Sequence, residues 1–322
     1  MSSDKVTKVD FSQRGRVEPA ATIIAVGGGK GGVGKSFVSS SLSIFLAQLG
    51  FETLAIDLDL GGANMHTNLG LPVTASGINE FIMDPQLELN HLAQKTHWQK
   101  LQVITGASEA MDVANIDELQ RSRLMSSIIR YKTDFIVLDL SAGTHQTTLD
   151  FFLMAKHKLV VFTPEPSSIE NAYRFLKSAF FRKLRRYETQ LQVKTQIDEL
   201  LAQRKSLNIK NPADLMRNLI QREPVLGNKL RDILMDLHFE IVLNQARTRQ
   251  EADMGYALQS VCNKYFGIPC EFLGALDYDN AVWQALRQRH HLLTHNRQTH
   301  LYAQLMTIAR KIAKTQPAKA VV

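Results

Sequence analysis

The residues best suited to chemistry sit in one short run. Gly29–Ser36 reads GKGGVGKS, which satisfies GxxxxGK[ST]. Glycines leave no Cβ in the way, so backbone N–H groups can curl around phosphate oxygens, and a helix starting at the lysine adds its positive end. In that chemistry Lys35 contacts the β- and γ-phosphates and the Ser36 hydroxyl holds Mg²⁺. A second candidate is Asp139, the acid closing the apolar run FIVLD, placed to hold the same Mg²⁺ through water. A third is Asp59, which follows the apolar run Thr53–Asp57. A carboxylate at the carboxyl edge of a strand faces the crevice where α/β sheets bind ligands.

Such residues need elements to position them. Thr22–Val26 is a short β-branched run that empties into the glycine-rich segment, and Ser36–Leu49 has helical apolar spacing with Gly50 as a stop. Thr53–Asp57, Leu101–Ile104, Phe135–Asp139, Leu159–Phe162, Phe239–Asn244 and Glu271–Leu276 are further runs of strand length, mostly separated by helical stretches. That alternation predicts a doubly wound α/β fold, a mostly parallel sheet with helices on both faces. One interval breaks it. Between a helix opened by a Ser167–Glu170 capping box and the strand at Phe239, the chain reads as helical throughout, with Asn211-Pro212 as cap and first turn. A helical insertion is expected at about 188–236, within an α/β domain over 21–315. A loose arm over 1–20 and a disordered tail over 316–322 complete the organisation.

Composition bounds the function. The 322 residues are 44% hydrophobic and 21% charged, enough for a sizeable core. No apolar run approaches the roughly 18 residues of a membrane span, and the polar start lacks a signal-peptide core, so the chain reads as cytoplasmic. Cys262 and Cys270 form no CxxC pair, which excludes a disulfide framework and a four-thiolate metal site. The net charge of +7 favours an anionic partner. Basic residues cluster at Arg174–Arg186, Arg287–Arg297 and Arg310–Lys319. Adjacent His290 and His291 point apart on a helix, which favours a surface role over a metal site.

The string KGGVGKS resembles the deviant Walker A loop of the MinD/ParA family of nucleotide-switch ATPases. The resemblance implies ATP or ADP with Mg²⁺ as ligands and a homodimer in the ATP state, with Lys30 reaching across to the partner's nucleotide. The nucleotide-binding set it implies is Gly29, Lys30, Gly31, Gly32, Val33, Gly34, Lys35, Ser36 and Phe37, with Asn64 and Asn244. Asp57–Asn64, DLDLGGAN, is similar to the family's DxDxGxxN stretch. There Asp59 polarises the attacking water and senses Mg²⁺, and Asn64 lies in the first switch. Lys30, Lys35 and Asp59 are thus the catalytic set, and Ser36, Asp59 and Asp139 the metal set. Ser141-Ala142-Gly143 resembles the second switch, with serine where proline is usual. Asn244 stands where the family reads the adenine base, and Leu276–Asp279 on the base-side loop.

Thr163–Lys177, TPEPSSIENAYRFLK, narrows the resemblance to the FlhG/FleN branch, which sets flagellar number and position. The function implied is an ATP-hydrolysing switch that controls the position or number of a cellular structure. Rival readings are a ParA-type DNA segregation ATPase, a metabolic ATP-dependent ligase of the same fold, and iron–sulfur carriage. Several surfaces suit a partner. The helical insertion or the basic helix suits a protein partner. The basic helix, with Phe175, Leu176, Ala179, Phe180 and Leu184 as an apolar stripe, and a last helix with Leu301, Leu305, Ile308 and Ile312 are expected first to bury those stripes in the core; peripheral contact with anionic membrane at its inner face is the alternative. DNA is the less favoured surface.

Overall fold

Runs of Val, Ile, Leu and Phe buried on both faces can settle only as interior strands of a covered sheet. The computed structural model describes residues 21–72, 76–106, 116–288, 291 and 299–315; the expected arm and tail, His290 and most of the Arg287–Arg297 zone lie outside the described residues. Strands β1 (Thr22–Gly27), β2 (Thr53–Leu58), β3 (Gln94–Lys95), β4 (Leu101–Ile104), β5 (Phe135–Leu140), β6 (His157–Phe162), β7 (Phe239–Ala246) and β8 (Cys270–Asp277) form one sheet. Their order is β3-β4-β2-β5-β1-β6-β7-β8. Every pairing is parallel except that of the two-residue β3 with β4, which the sequence pattern had not suggested.

The helices are α1 (Lys35–Gln48), α2 (Met65–Asn68), α3 (Ile78–Met83), α4 (Glu118–Arg130), α5 (Gln146–Met154) and α6 (Pro166–Gln190), followed by α7 (Lys194–Ala202), α8 (Pro212–Arg222), α9 (Pro224–Met235), α10 (Arg249–Phe266), α11 (Asn280–Arg287) and α12 (His300–Ala313). Helices α3 to α10 pack their apolar residues on one face of the sheet, and α1, α2, α11 and α12 on the other. Helices α7 to α9 fill the interval between α6 and β7; Asn211 caps α8 by accepting from Asp214 N–H at 2.8 Å.

Two readings of the sequence change, the capping box and the histidine, and the core packing expected of two amphipathic helices is found. Helix α6 starts at Pro166 with Glu165 as N-cap, so the Ser167–Glu170 box does not form. Proline favours the first helical position, which moves the start upstream; Ser168 instead accepts from Thr163 N–H at 2.9 Å, and Glu170 pairs with Arg174. The stripe Phe175, Leu176, Ala179, Phe180 and Leu184 is at most 2% exposed, and so are Leu301, Leu305, Ile308 and Ile312 of α12. Neither helix presents its apolar stripe outward. His291 is buried, its ring stacked on Phe37 at 5.7 Å and its Nε2 3.2 Å from Ser41 Oγ. Tertiary packing, not helical geometry, decides its place.

The free edge of β8 is closed by side chains. Asn263 and Gln259 of α10 accept from Cys270 and Phe272 N–H, Gln304 of α12 accepts from Asp277 N–H, and Lys311 donates to the Leu273 carbonyl. An edge satisfied in this way offers no template for another strand.

Candidate nucleotide-binding site

The sheet order puts the carboxyl ends of β2, β5 and β1 side by side. The P-loop leaves β1, Asp57 and Asp59 leave β2, and Asp139 leaves β5, with Asp57 and Val26 both in register with Asp139. The loop runs tight against its surroundings. A Cβ on Gly29 would collide with the Asn171 carbonyl of α6, and one on Gly34 with the Asn244 amide. Gly34 is also left-handed, at φ 92°, as it caps α1, a conformation that suits glycine. At Gly31 and Gly32, by contrast, an added Cβ meets nothing within 4 Å, so the loop's outer side is open.

Asp139 is 1% exposed, and neither of its carboxylate oxygens has a hydrogen-bond partner. Burial, and then the nearby Asp57 charge, push its carboxyl well above the usual range, while Ser36, Lys35 and Ser39 pull the other way. Burial likewise raises Asp57, although Asp59 N–H and Met65 N–H each donate to it at 3.0 Å. Lys35, 7% exposed, is drawn below its ordinary value by burial against the pull of Asp139 and Asp59. A buried carboxylate with idle oxygens beside a serine hydroxyl is a hard-oxygen environment matching Mg²⁺. An open glycine loop with a buried lysine matches polyphosphate. The residues present therefore fit both groups.

Asp59 is half-exposed at the crevice, and its carbonyl accepts from Gly62 N–H at 3.1 Å. Asn64 is exposed, and its amide donates to the Gly62 carbonyl at 2.6 Å. The second-switch segment touches the P-loop, with Gly143 N–H donating to the Gly28 carbonyl at 3.2 Å, while Ser141 Oγ lies 2.8 Å from Thr148 Oγ1 of α5. Phe37 is buried in the first turn of α1 behind the loop.

Lys30 is set apart from this group. It is 41% exposed and lies on its own chain's α6 start, 3.0 Å from Glu165 Oε2 and 3.2 Å from Ser167 Oγ. Asn244, 5% exposed, donates its amide to the Val33 carbonyl at 2.9 Å and so supports the loop from below. On the base-side loop, Asp277 is taken by His300 and Gln304, and Asp279 caps α11. Only Tyr278 keeps an exposed ring there, with the Arg247 guanidinium 4.4 Å from its centre.

Three positions carry roles that sequence reasoning did not assign. Asp57 organises the turn to Asp59 and α2; an acid two residues before another on a strand, hence on the same face, was the available signal. Glu165 and Ser167 hold Lys30 across more than 130 residues of chain, a contact no spacing rule reaches. A polar cleft of about 410 Å³ among Asn208, Lys210, Asp214 and Arg217 lies in the α7–α8 region. Its lining holds neither a cysteine nor a histidine.

A family model described as ParA, NUBPL iron-transfer P-loop NTPase, matches residues 20–187, just over half of the chain. This chain belongs to the ParA/MinD family of P-loop NTPases. Within this family it is 24% identical over 282 residues to the antiactivator FleN of Pseudomonas aeruginosa, covering 87% of this chain and 81% of FleN. It is 31% identical over 182 residues to the flagellum site-determining protein YlxH of Helicobacter pylori, covering 54% of this chain and 57% of YlxH. The fold matches that of the septum site-determining protein MinD complexed with Mg-ADP from Pyrococcus horikoshii, with a TM-score of 0.62 at 19% identity over 91% and 96% of the two chains. The doubly wound, mostly parallel architecture expected from the sequence is the one found. Among the described residues, no helix is long and apolar enough to cross a membrane.

Proposed function

We propose that this P-loop NTPase is an ATP-hydrolysing switch that dimerises with ATP and governs the number or position of a cellular structure, as YlxH is named for determining a flagellum site and MinD a septum site. One observation carries the dimer reading. The loop has two lysines; Lys35 is buried at the phosphate cradle, while Lys30 stands outside it on Glu165 and Ser167. A lysine that its own site does not use is available to the site of a second copy.

Lys35 would hold the β- and γ-phosphates, and Ser36 and Asp139 the Mg²⁺, which when bound neutralises phosphate charge. Asp59 orients the attacking water and accepts its proton. Phosphoryl transfer needs positioning and charge stabilisation more than covalent chemistry, and this sparse set supplies both. Light scattering on Asp59→Ala tests the scheme. A monomer in Mg-ADP and a dimer in Mg-ATP are expected, with hydrolysis lost. Wild-type hydrolysis by the variant would remove Asp59 from its role, and an unchanged mass would remove the switch.

The surface on which the switch acts is narrowed by packing. With the stripes of α6 and α12 in the core, these two helices offer membrane or DNA only their charge, and such contact weakens steeply with salt. We favour a protein partner.

A further inference from the structure

Asp150 of α5 is 2% exposed and meets three guanidinium groups. Arg182 of α6 grips it in two places, Nε to Oδ1 at 3.0 Å and Nη2 to Oδ2 at 2.9 Å. Arg121 of α4 lies 3.3 Å away and Arg186 of α6 3.5 Å away. One carboxylate cannot match three guanidinium groups, each with five N–H donors. Glu118, whose charge also reaches Arg182, leaves the cluster cationic. The arginine side chains are 16%, 29% and 54% exposed in the order Arg121, Arg182, Arg186, so the excess charge opens to solvent between α4 and α6. Of the other basic residues of α6, Lys183 is spent on Asp236 and Arg174 on Glu170, while Lys177 and Arg185 are exposed and add to the positive charge of the helix.

We propose that the α4–α6 face around Asp150 binds an acidic peptide segment of a protein partner, whose carboxylates take Arg121 and Arg186 away from Asp150. Guanidinium forks match carboxylates in pairs. Ile129, 41% exposed and two turns along α4 from Arg121, supplies an apolar contact beside the charge. A lipid surface is the poorer occupant, because α6 keeps its apolar stripe in the core and has nothing to insert. The site also has a line to the nucleotide. Helix α5 begins three residues after Gly143, whose N–H reaches the P-loop, and Thr148 joins Ser141 two residues before Asp150. Movement of that segment with the nucleotide shifts Asp150 and alters how many arginines are free. This coupling rests on the switch reading; the binding itself does not.

The probe is a short fluorescein-labelled peptide with Glu and Leu at helical spacing, titrated by anisotropy into the full-length nucleotide-free protein. Arg186→Ala, at a half-exposed position, is expected to keep the fold by circular dichroism and weaken binding roughly tenfold, one charge-assisted contact. Asp150→Asn removes the competing charge and is expected to tighten binding, which a merely structural role would not do. Equal affinity in Arg186→Ala overturns the proposal. So does equal binding of a peptide with Lys in place of Glu, or an arginine-dependent capture by phosphatidylglycerol vesicles when the peptide does not bind. A peptide affinity that is the same in Mg-ATP and Mg-ADP removes the coupling. Light scattering under both nucleotides judges the switch separately.

Discussion

Asp139 and Asp57 face each other in register across β2 and β5, and burial disfavours the charge on both. Their carboxyl groups are pushed from 3.8 up to about 8 for Asp139 and about 6 for Asp57. Between those values the native chain binds protons that the unfolded chain has already lost. Stability of the Mg²⁺-free protein should therefore fall as pH rises from about 4 to about 8. Thermal unfolding across that window checks the sign, and added Mg²⁺ with ADP should flatten the slope by replacing the protons. A midpoint that climbs with pH would assign these acids an unseen cationic partner. Lys30 makes a different prediction. Its contacts to Glu165 and Ser167 are solvent-exposed, so Lys30→Ala should change stability by less than about 1 kcal/mol. The same variant should lose the mass increase in Mg-ATP. Loss of fold instead would make Lys30 a structural residue.

Elements decide how accurately these residues are held. The P-loop is pinned between α6, β7 and the second-switch segment by contacts at Gly29, Gly34 and Gly143. Gly29→Ala drives a methyl into the Asn171 carbonyl, a backbone atom that cannot swing aside, and should abolish nucleotide binding measured by calorimetry. Retained binding would show that the loop can shift off α6. Helix α8 supplies the contrast. Its Asn211 cap lies far along the chain from the nucleotide residues, so Asn211→Ala should cost about 1 kcal/mol in urea unfolding and leave nucleotide affinity unchanged. A change in affinity would tie α7–α9 to the switch.

At the scale of the molecule, a single sheet is covered on both faces and closed along β8 by four side chains. Along β8 a second copy therefore cannot extend the sheet; the ATP dimer proposed above forms over the carboxyl ends of the strands, where Lys30 stands. Helix α12 belongs to the fold, packing Leu305 at 0% exposure against α1 and β8. Leu305→Ala should destabilise by about 2–5 kcal/mol. A variant with wild-type stability and weakened vesicle binding would return α12 to the membrane.

Much of this was legible in the residues themselves. Glycines at Gly29–Gly34 before Lys35-Ser36, and acids closing apolar strands at Asp59 and Asp139, are local requirements of phosphate and metal chemistry, so spacing alone reveals them. The strands of the parallel sheet, β3 aside, read correctly because a strand buried on both faces has to be apolar throughout. Core packing was the favoured reading for α6 and α12 and is the one found, but only the structure decided it, because one amphipathic stripe can meet a sheet or a lipid surface. His291 against Phe37 was not legible, nor was Asp150 among three arginines. Those contacts join residues from 29 to 254 positions apart. Only packing, which sets many weak contacts at once, brings them together.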